Sequence, residues 1–395
     1  MERNENLVSA AAFADSKPHY ALLDAMRGVA ALVVIWYHIF EGFATSAMDQ
    51  RINHGYLAVD FFFILSGFVL GYAYDDRWSK MSLGQFFKRR LIRLHPLVIL
   101  GLIFGVVSFC LQGSVQWDGT KMGWSMIALA MLLSIFMIPA APKACYEIRG
   151  NGELFPLNGP SWSLFFEYIA NILYALWLRR LSTKALSAVV AVSGIGLAAC
   201  AFGNLSGTGH LGVGWSMGHT TWDFAGAGLF GGLMRVSFSF SMGLLLSRKF
   251  KPLNIKGAFP LCSAVIIALL AVPYIGDGTQ PWQNAIFDIF CTAVVFPAIV
   301  WIAASGRADG KFENRVCKFL GDISYPLYIT HYPIMYYFYS WVWNNGYTFE
   351  QVRYVAVAIF FGTIALAWVA LKLYDEPVRK WLTSKFMKRP TSQQQ

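Results

Sequence analysis

The sequence predicts an all-α polytopic membrane protein, with about ten transmembrane helices, one further re-entrant or interfacial segment, and both termini in the cytoplasm. Three observations carry this prediction. Of 395 residues, 56% are hydrophobic and 16% aromatic, and only 14% are charged, against about 25% charged in a soluble domain. Apolar runs of roughly the 20 residues needed to cross a bilayer recur along the whole chain. Several of the links between them are strongly basic, and three that alternate with these hold no Lys or Arg. The same composition excludes a disordered chain, a collagen or coiled-coil rod and a small disulfide scaffold. The formal charge of +10 reads as a topology signal rather than a nucleic-acid partner, because Lys and Arg accumulate in cytoplasmic loops.

Residues 1–20 lack a basic start followed by an apolar core, so no cleavable signal is expected and the polar N-terminus is placed in the cytoplasm. Eleven apolar runs follow, near 28–47, 57–74, 96–113, 122–140, 162–178, 185–203, 225–247, 257–276, 284–304, 319–342 and 353–374. The loop 75–95 carries Arg77, Lys80, Lys88, Arg89, Arg90 and Arg93 and is assigned inside. The links 179–184, 248–256 and 305–318 and the tail with Arg379, Lys380, Lys385, Lys388 and Arg389 are basic and join it there. Loops 204–224, 277–283 and 343–352 have no Lys or Arg and are assigned outside. Three runs lie between the inside segments 75–95 and 179–184, where an even number must cross. The run 122–140 is therefore taken not to span, which places 141–161 outside despite Lys143 and Arg149. No repeat and no link long enough for another domain stands out. The expectation is a single membrane domain, 1–395, with short cytoplasmic tails at 1–22 and 377–395. The six cysteines (Cys110, Cys145, Cys200, Cys262, Cys291 and Cys317) show no CxxC or zinc spacing. They read as inert thiols, and no metal site is expected.

Ionisable residues inside spanning runs are costly and mark function. Here they are His38, Asp60, Glu167, Arg235, Asp288 and His331. His38 lies eleven residues beyond Arg27, about 16 Å deeper along a helix, which puts it near the midplane. By similar counting Glu167, Arg235 and His331 fall between the midplane and the outer third. At the inner ends of the first three helices Arg27, Lys88, Arg89, Arg90 and Arg93 cluster. Arg90 and Arg93 share a helical face. Such a cluster serves positive-inside topology, and it also suits a phosphate clamp, since guanidinium grips phosphate bidentately. Phosphates at the inner face and a reactive end near His38 are the shape of a coenzyme A thioester.

Four stretches resemble the acyltransferase-3 family of integral-membrane O-acyltransferases. Leu23-Asp24-Ala25-Met26-Arg27-Gly28-Val29-Ala30 followed by His38 is similar to its opening helix. Val59-Asp60-Phe61-Phe62-Phe63-Ile64-Leu65-Ser66-Gly67-Phe68 is similar to its second helix. Phe87-Lys88-Arg89-Arg90-Leu91-Ile92-Arg93-Leu94-His95-Pro96 is similar to its basic loop. Gly321-Asp322-Ile323-Ser324-Tyr325-Pro326-Leu327-Tyr328, then His331 and Pro333, is similar to its late helix. Trp162-Ser163-Leu164 with Glu167, and Arg235 before Gly243, also fit. The resemblance covers residues about 22 to 335. Two departures are Ala58, where a glycine is common, and His95, where an Ile or Tyr is more usual.

The resemblance implies an acyltransferase of a bacterial cytoplasmic (inner) membrane, passing it many times. It would move an acyl group, above all acetyl, from cytoplasmic acetyl-CoA or another acyl-CoA to a hydroxyl of a glycan or other acceptor. His38 would be the general base, or would carry the acyl group covalently. Glu167 or Asp60 would orient its imidazole, as a carboxylate does in a triad. His331 would bind the acceptor or share the proton. Arg27, Arg90, Arg93 and Arg235 are the candidates for holding the donor, although Arg27 also pairs with Asp24 at helical spacing. Trp162, Ser163, Tyr325 and Tyr328 would line the substrate cavity. The expected partners are the lipid bilayer and the hydroxyl acceptor, with no nucleic acid. No esterase-like domain is read in the chain, so any handover to one calls for a separate acyl-accepting or glycan-assembly protein. The competing reading is a polytopic transporter or flippase for a glycan or small anionic solute, which would share the midplane charges. It lacks the expected inverted repeat.

Overall fold

The computed structural model describes residues 20–216, 223–276 and 279–387. The polar N-terminus 1–19, Lys388, Arg389 and parts of loops 204–224 and 277–283 lie outside the described residues. Among these, the chain is helical, with three isolated β-bridges and no strand.

In chain order the helices are α1 (Ala21–Glu41), α2 (Ala58–Tyr74, entered through a 3-10 turn, His54–Leu57), α3 (Leu83–Leu111), α4 (Trp124–Ile135), α5 (Ser161–Leu176) and α6 (Thr183–Phe202). There follow α7 (Gly231–Lys249, continuing a π turn, Phe224–Phe230), α8 (Ala258–Leu270), α9 (Trp282–Phe290), α10 (Phe296–Ser305), α11 (Gly310–Asn345), α12 (Phe349–Ala370) and α13 (Glu376–Phe386). Ser82 opens α3 with a capping box, its hydroxyl accepting from Gln85 N while the Gln85 side chain accepts from Ser82 N. Two π turns, Cys291–Val295 and Leu371–Asp375, join α9 to α10 and α12 to α13. Pro297 and Pro377 stand just after them. A proline clashes with the carbonyl four residues back and offers no N–H, and the widened turn accommodates both defects.

Seven segments are long and apolar enough to cross a membrane, namely α1, α2 with its 3-10 turn, α3, α6, α7, α9–α10 and α12–α13. The ten crossings of the sequence reading also include the shorter α5 and α8 and the longer, more polar, tyrosine-rich α11. The run 122–140 forms only the 12-residue α4, about 18 Å long and short of a hydrocarbon core of about 30 Å. The run 257–276 forms only the 13-residue α8.

Small residues let the central helices meet backbone to backbone. At the α2–α7 crossing, a Cβ on Gly67 would fall 2.0 Å from the Phe240 carbonyl oxygen, and one on Gly243 would fall 2.1 Å from that of Ile64. Where α1 crosses α11, a Cβ on Gly28 would fall 2.4 Å from the Leu320 carbonyl oxygen. Close approach of this kind drives helix association where solvent supplies no hydrophobic force. Three apolar clusters result, around α1–α2–α10, α2–α3–α5 and α1–α11–α12, and Phe62 of α2 packs against all three.

Candidate active site

Helix α1 begins at Ala21, six residues before Arg27. His38 therefore sits in its last turn rather than at mid-helix. The ring Nδ1 of His38 lies 2.6 Å from Glu41 Oε2. The Tyr339 hydroxyl from α11 lies 2.9 Å from the same carboxylate oxygen and 2.7 Å from the His38 carbonyl. A carboxylate oxygen accepts at this contact, so Nδ1 carries a proton, and in the neutral ring Nε2 then holds the lone pair. The His331 ring stands 5.3 Å from that of His38, centroid to centroid. Its Nδ1 donates to the Leu327 carbonyl at 3.0 Å, and its buried Nε2 has no hydrogen-bond partner among the described residues. Tyr332 meets the His38 ring edge-on at 4.7 Å. The structure thus brings together the two histidines that the sequence singles out, and it adds Glu41 and Tyr339.

A separate cavity of about 640 Å³ opens beside the start of α1. Arg27, Arg90 and Arg93 line it, as do Ser66, Ser163, Glu167, Tyr325 and Tyr328. Arg27 pairs with Asp24 at 2.9 Å, and Arg90 pairs with Glu167 at 2.9 Å. Ser66 Oγ donates to the same Glu167 oxygen at 2.8 Å. Arg93 makes no hydrogen bond to protein among the described residues. Tyr325 donates to the Leu94 carbonyl at 2.7 Å, and the Ser163 and Tyr328 hydroxyls meet at 2.7 Å. Neither His38 nor His331 lines this cavity.

Asp60 and Arg235 form a third group. Both are fully buried, with Arg235 Nη2 2.6 Å from Asp60 Oδ2. Arg235 also donates to the Val213 carbonyl at 2.9 Å and the Tyr56 carbonyl at 2.8 Å, and its guanidinium lies 5.0 Å from the Trp162 ring centre. The structure places Arg235 off the cavity and gives it to Asp60, so it holds no open position for a phosphate. It likewise gives Glu167 to Arg90, and the carboxylate beside His38 is Glu41 rather than Glu167 or Asp60. Asp288 accepts from the Tyr56 hydroxyl at 2.9 Å and from Leu211 N at 2.7 Å. It ties the loop after α6 to α9.

A fourth cluster pins the irregular segment 136–160 against Tyr336 of α11. Buried Arg149 lies 3.5 Å from the Tyr336 ring centre, donates to the Pro156 carbonyl at 2.9 Å, and pairs with Gln112. The Tyr336 hydroxyl donates to Glu153, and the Tyr336 ring packs edge-on to Tyr332 at 4.6 Å. Burial pushes the Glu153 carboxyl up to about 7. Among the described residues, no group of three or more His, Cys, Asp or Glu side chains is arranged to hold a metal ion.

A family profile described as an acyltransferase domain matches residues 20–372. A protein named "Protein 2 in picA locus" from Rhizobium radiobacter is 34% identical over 184 residues, which are 45% of this chain and 91% of the relative. "Acyltransferase MdmB" from Streptomyces mycarofaciens is 31% identical over 169 residues, 40% of this chain and 38% of the relative. A protein named "Putative O-acetyltransferase" from Staphylococcus aureus strain COL is 24% identical over 387 residues, 91% of this chain and 57% of the relative. The match thus spans little more than half, or less, of the latter two relatives. No solved structure matches.

Proposed function

We propose that this chain, which belongs to the acyltransferase-3 family and is an acyltransferase, moves an acetyl or other acyl group from cytoplasmic acyl-CoA to a hydroxyl of a glycan-type acceptor. The site would lie in a bacterial cytoplasmic membrane. One observation carries the reading above the others. His38 is held through Nδ1 by Glu41 at 2.6 Å, its Nε2 has no hydrogen-bond partner among the described residues, and a second imidazole lies 5.3 Å away. An arginine-lined cavity approaches this pair from the other end of α1.

In this reading the donor's phosphates lie at Arg93, with Arg27 and Arg90 beside it, and its pantetheine arm runs along the cavity towards Ser163 and Tyr328. The acceptor enters from the opposite side, at the exposed edge of Glu41. Its hydroxyl proton passes to His38 Nε2 as its oxygen attacks the thioester carbonyl carbon. The new C–O bond forms, the C–S bond breaks, and the departing CoA sulfur takes the proton from the imidazolium. Glu41 keeps the ring in the useful tautomer and offsets the charge that develops on it. The lone pair on His331 Nε2 is suited to accept a hydrogen bond from the acceptor. Asp60 and Arg235 are assigned to the scaffold, because removing either partner would strand a buried charge.

The test is transfer of radiolabel from acetyl-CoA in membranes containing the protein, compared with membranes containing His38→Ala. Losing general-base assistance should reduce transfer by about 10²–10⁴-fold. Near-normal transfer by a well-inserted His38→Ala protein would remove His38 from the mechanism.

A further inference from the structure

Along α11 the cavity stops one helical turn short of His331, and along α1 it stops at Arg27. On α11 its wall ends at Tyr328, three residues before His331, and on α2 it ends at Val59 and Phe62. The Phe62 ring meets the Tyr328 ring edge-on at 5.5 Å, and the Tyr328 ring lies 6.0 Å from that of His331. The Tyr328 hydroxyl is tied to Ser163 at 2.7 Å, which holds that side of the wall to α5. Phe62 carries no such tether, and its half-buried ring is the side of the wall held by packing alone. It also touches all three apolar clusters, so neighbouring packing limits how far it can swing.

We infer that the Phe62–Tyr328 aromatic wall is the acyl-length gauge of the enzyme, admitting a short acyl group to the histidine pair and stopping longer ones. The inference rests on the acyl-CoA reading above and deepens it. A thioester delivered along the cavity meets this wall before it meets either imidazole. The acyl group is the part of the donor that must fit between Phe62 and Tyr328 for the carbonyl carbon to come within reach of the acceptor oxygen. Each added methylene must displace a packed ring. One methylene too many in a fitted apolar site changes specificity by about 10–200-fold.

The experiment compares radiolabelled acetyl-CoA with butyryl-CoA in inverted membrane vesicles from an expressing strain, using vesicles from the same strain without the gene as the blank. Phe62→Ala should raise the butyryl-to-acetyl ratio of incorporation rates by at least about 10-fold. Phe62→Leu keeps most of the packing and should move the ratio the same way by less. Phe62→Trp should depress even acetyl transfer. If Phe62→Ala fails to accumulate, Phe62→Leu decides alone. An unchanged ratio in a variant that still transfers acetyl overturns the gauge and leaves the enzyme reading standing. If vesicles containing the wild-type protein incorporate no more label from either donor than vesicles from the same strain without its gene, the acyl-CoA reading falls, and the gauge falls with it.

Discussion

Replacing Glu41 by Gln changes one charge and no volume at the residue that holds His38. The contact at stake is the 2.6 Å approach of His38 Nδ1 to Glu41 Oε2. A hydrogen bond to a charged group is worth about 1.5–3 kcal/mol. Each 1.36 kcal/mol lost in the transition state is tenfold in rate, so the expected loss is about 10- to 100-fold. Solvent moderates the effect, since the Glu41 side chain is 38% exposed and that of His38 16%. A Gln amide that turns its NH2 towards Nδ1 would force the proton onto Nε2 and remove the base. The loss should therefore appear in kcat with little change in KM for the donor. Tyr339→Phe, which takes one neutral donor from the same carboxylate, should cost less than Glu41→Gln. The assay is initial-rate acyl transfer in vesicles across donor concentrations. Wild-type turnover by Glu41→Gln would refute the assignment. So would a defect confined to donor KM, which would return the orienting role to another carboxylate.

Other predictions follow from the same geometry. Arg93→Ala should weaken acyl-CoA binding by about 10- to 100-fold, and added salt should weaken wild-type binding towards the same value. Arg27→Ala should cost less, because Arg27 is already engaged with Asp24; equal effects, measured by isothermal titration, would remove the special place of Arg93. Glu153, at an ordinary 4.5 when unfolded and about 7 when folded, binds its proton more tightly in the native state. Its contribution to stability is complete below about 4.5 and is lost as pH rises from there to about 7. Thermal unfolding of Glu153→Gln in detergent should show a flatter pH dependence across that window, and an unchanged slope would contradict it. Single cysteines replacing Ser82 and Ser206, in a background without the native six, should react differently with a membrane-impermeant thiol reagent on intact cells. Only the Ser206 position should label. Labelling at Ser82 from outside would invert the orientation on which cytoplasmic donor binding depends.

Much of the helical framework was legible because hydropathy reports membrane segments directly. Each of the eleven apolar runs lies on a helix, although those of the runs 122–140 and 257–276 are short, at 12 and 13 residues. The ends were less legible. Arg27 reads as the start of the first helix, whereas α1 starts at Ala21 and carries His38 into its last turn. The pairing of His38 with His331 was only suggested by similar depth, since sequence holds no lateral information between α1 and α11. The same gap hid the partners of the other charges. Arg90 with Glu167 and Arg235 with Asp60 are pairings set by which helices touch. Glu41 had a signal that could have found it, a carboxylate three residues after the histidine on the same helix. It was missed although it lies inside the run 28–47, which continues six residues past the end of the helix at Glu41. Arg149 reads as a loop charge and Glu153 carries no signal of its own, since nothing in their spacing says that segment 136–160 folds in over Tyr336.

The central claim is that the acyl group passes the wall while the rest of the donor stays on the cytoplasmic side. The most direct measurement uses inverted vesicles, whose cytoplasmic face is outside, with acetyl-CoA labelled separately in its acetyl group and in its coenzyme A moiety. Acetyl label should become trapped in the vesicle lumen on acceptor while all coenzyme A label remains outside, and His38→Ala should abolish the trapping. Coenzyme A label accumulating in the lumen, or acetyl label appearing only on acceptors outside, would contradict it.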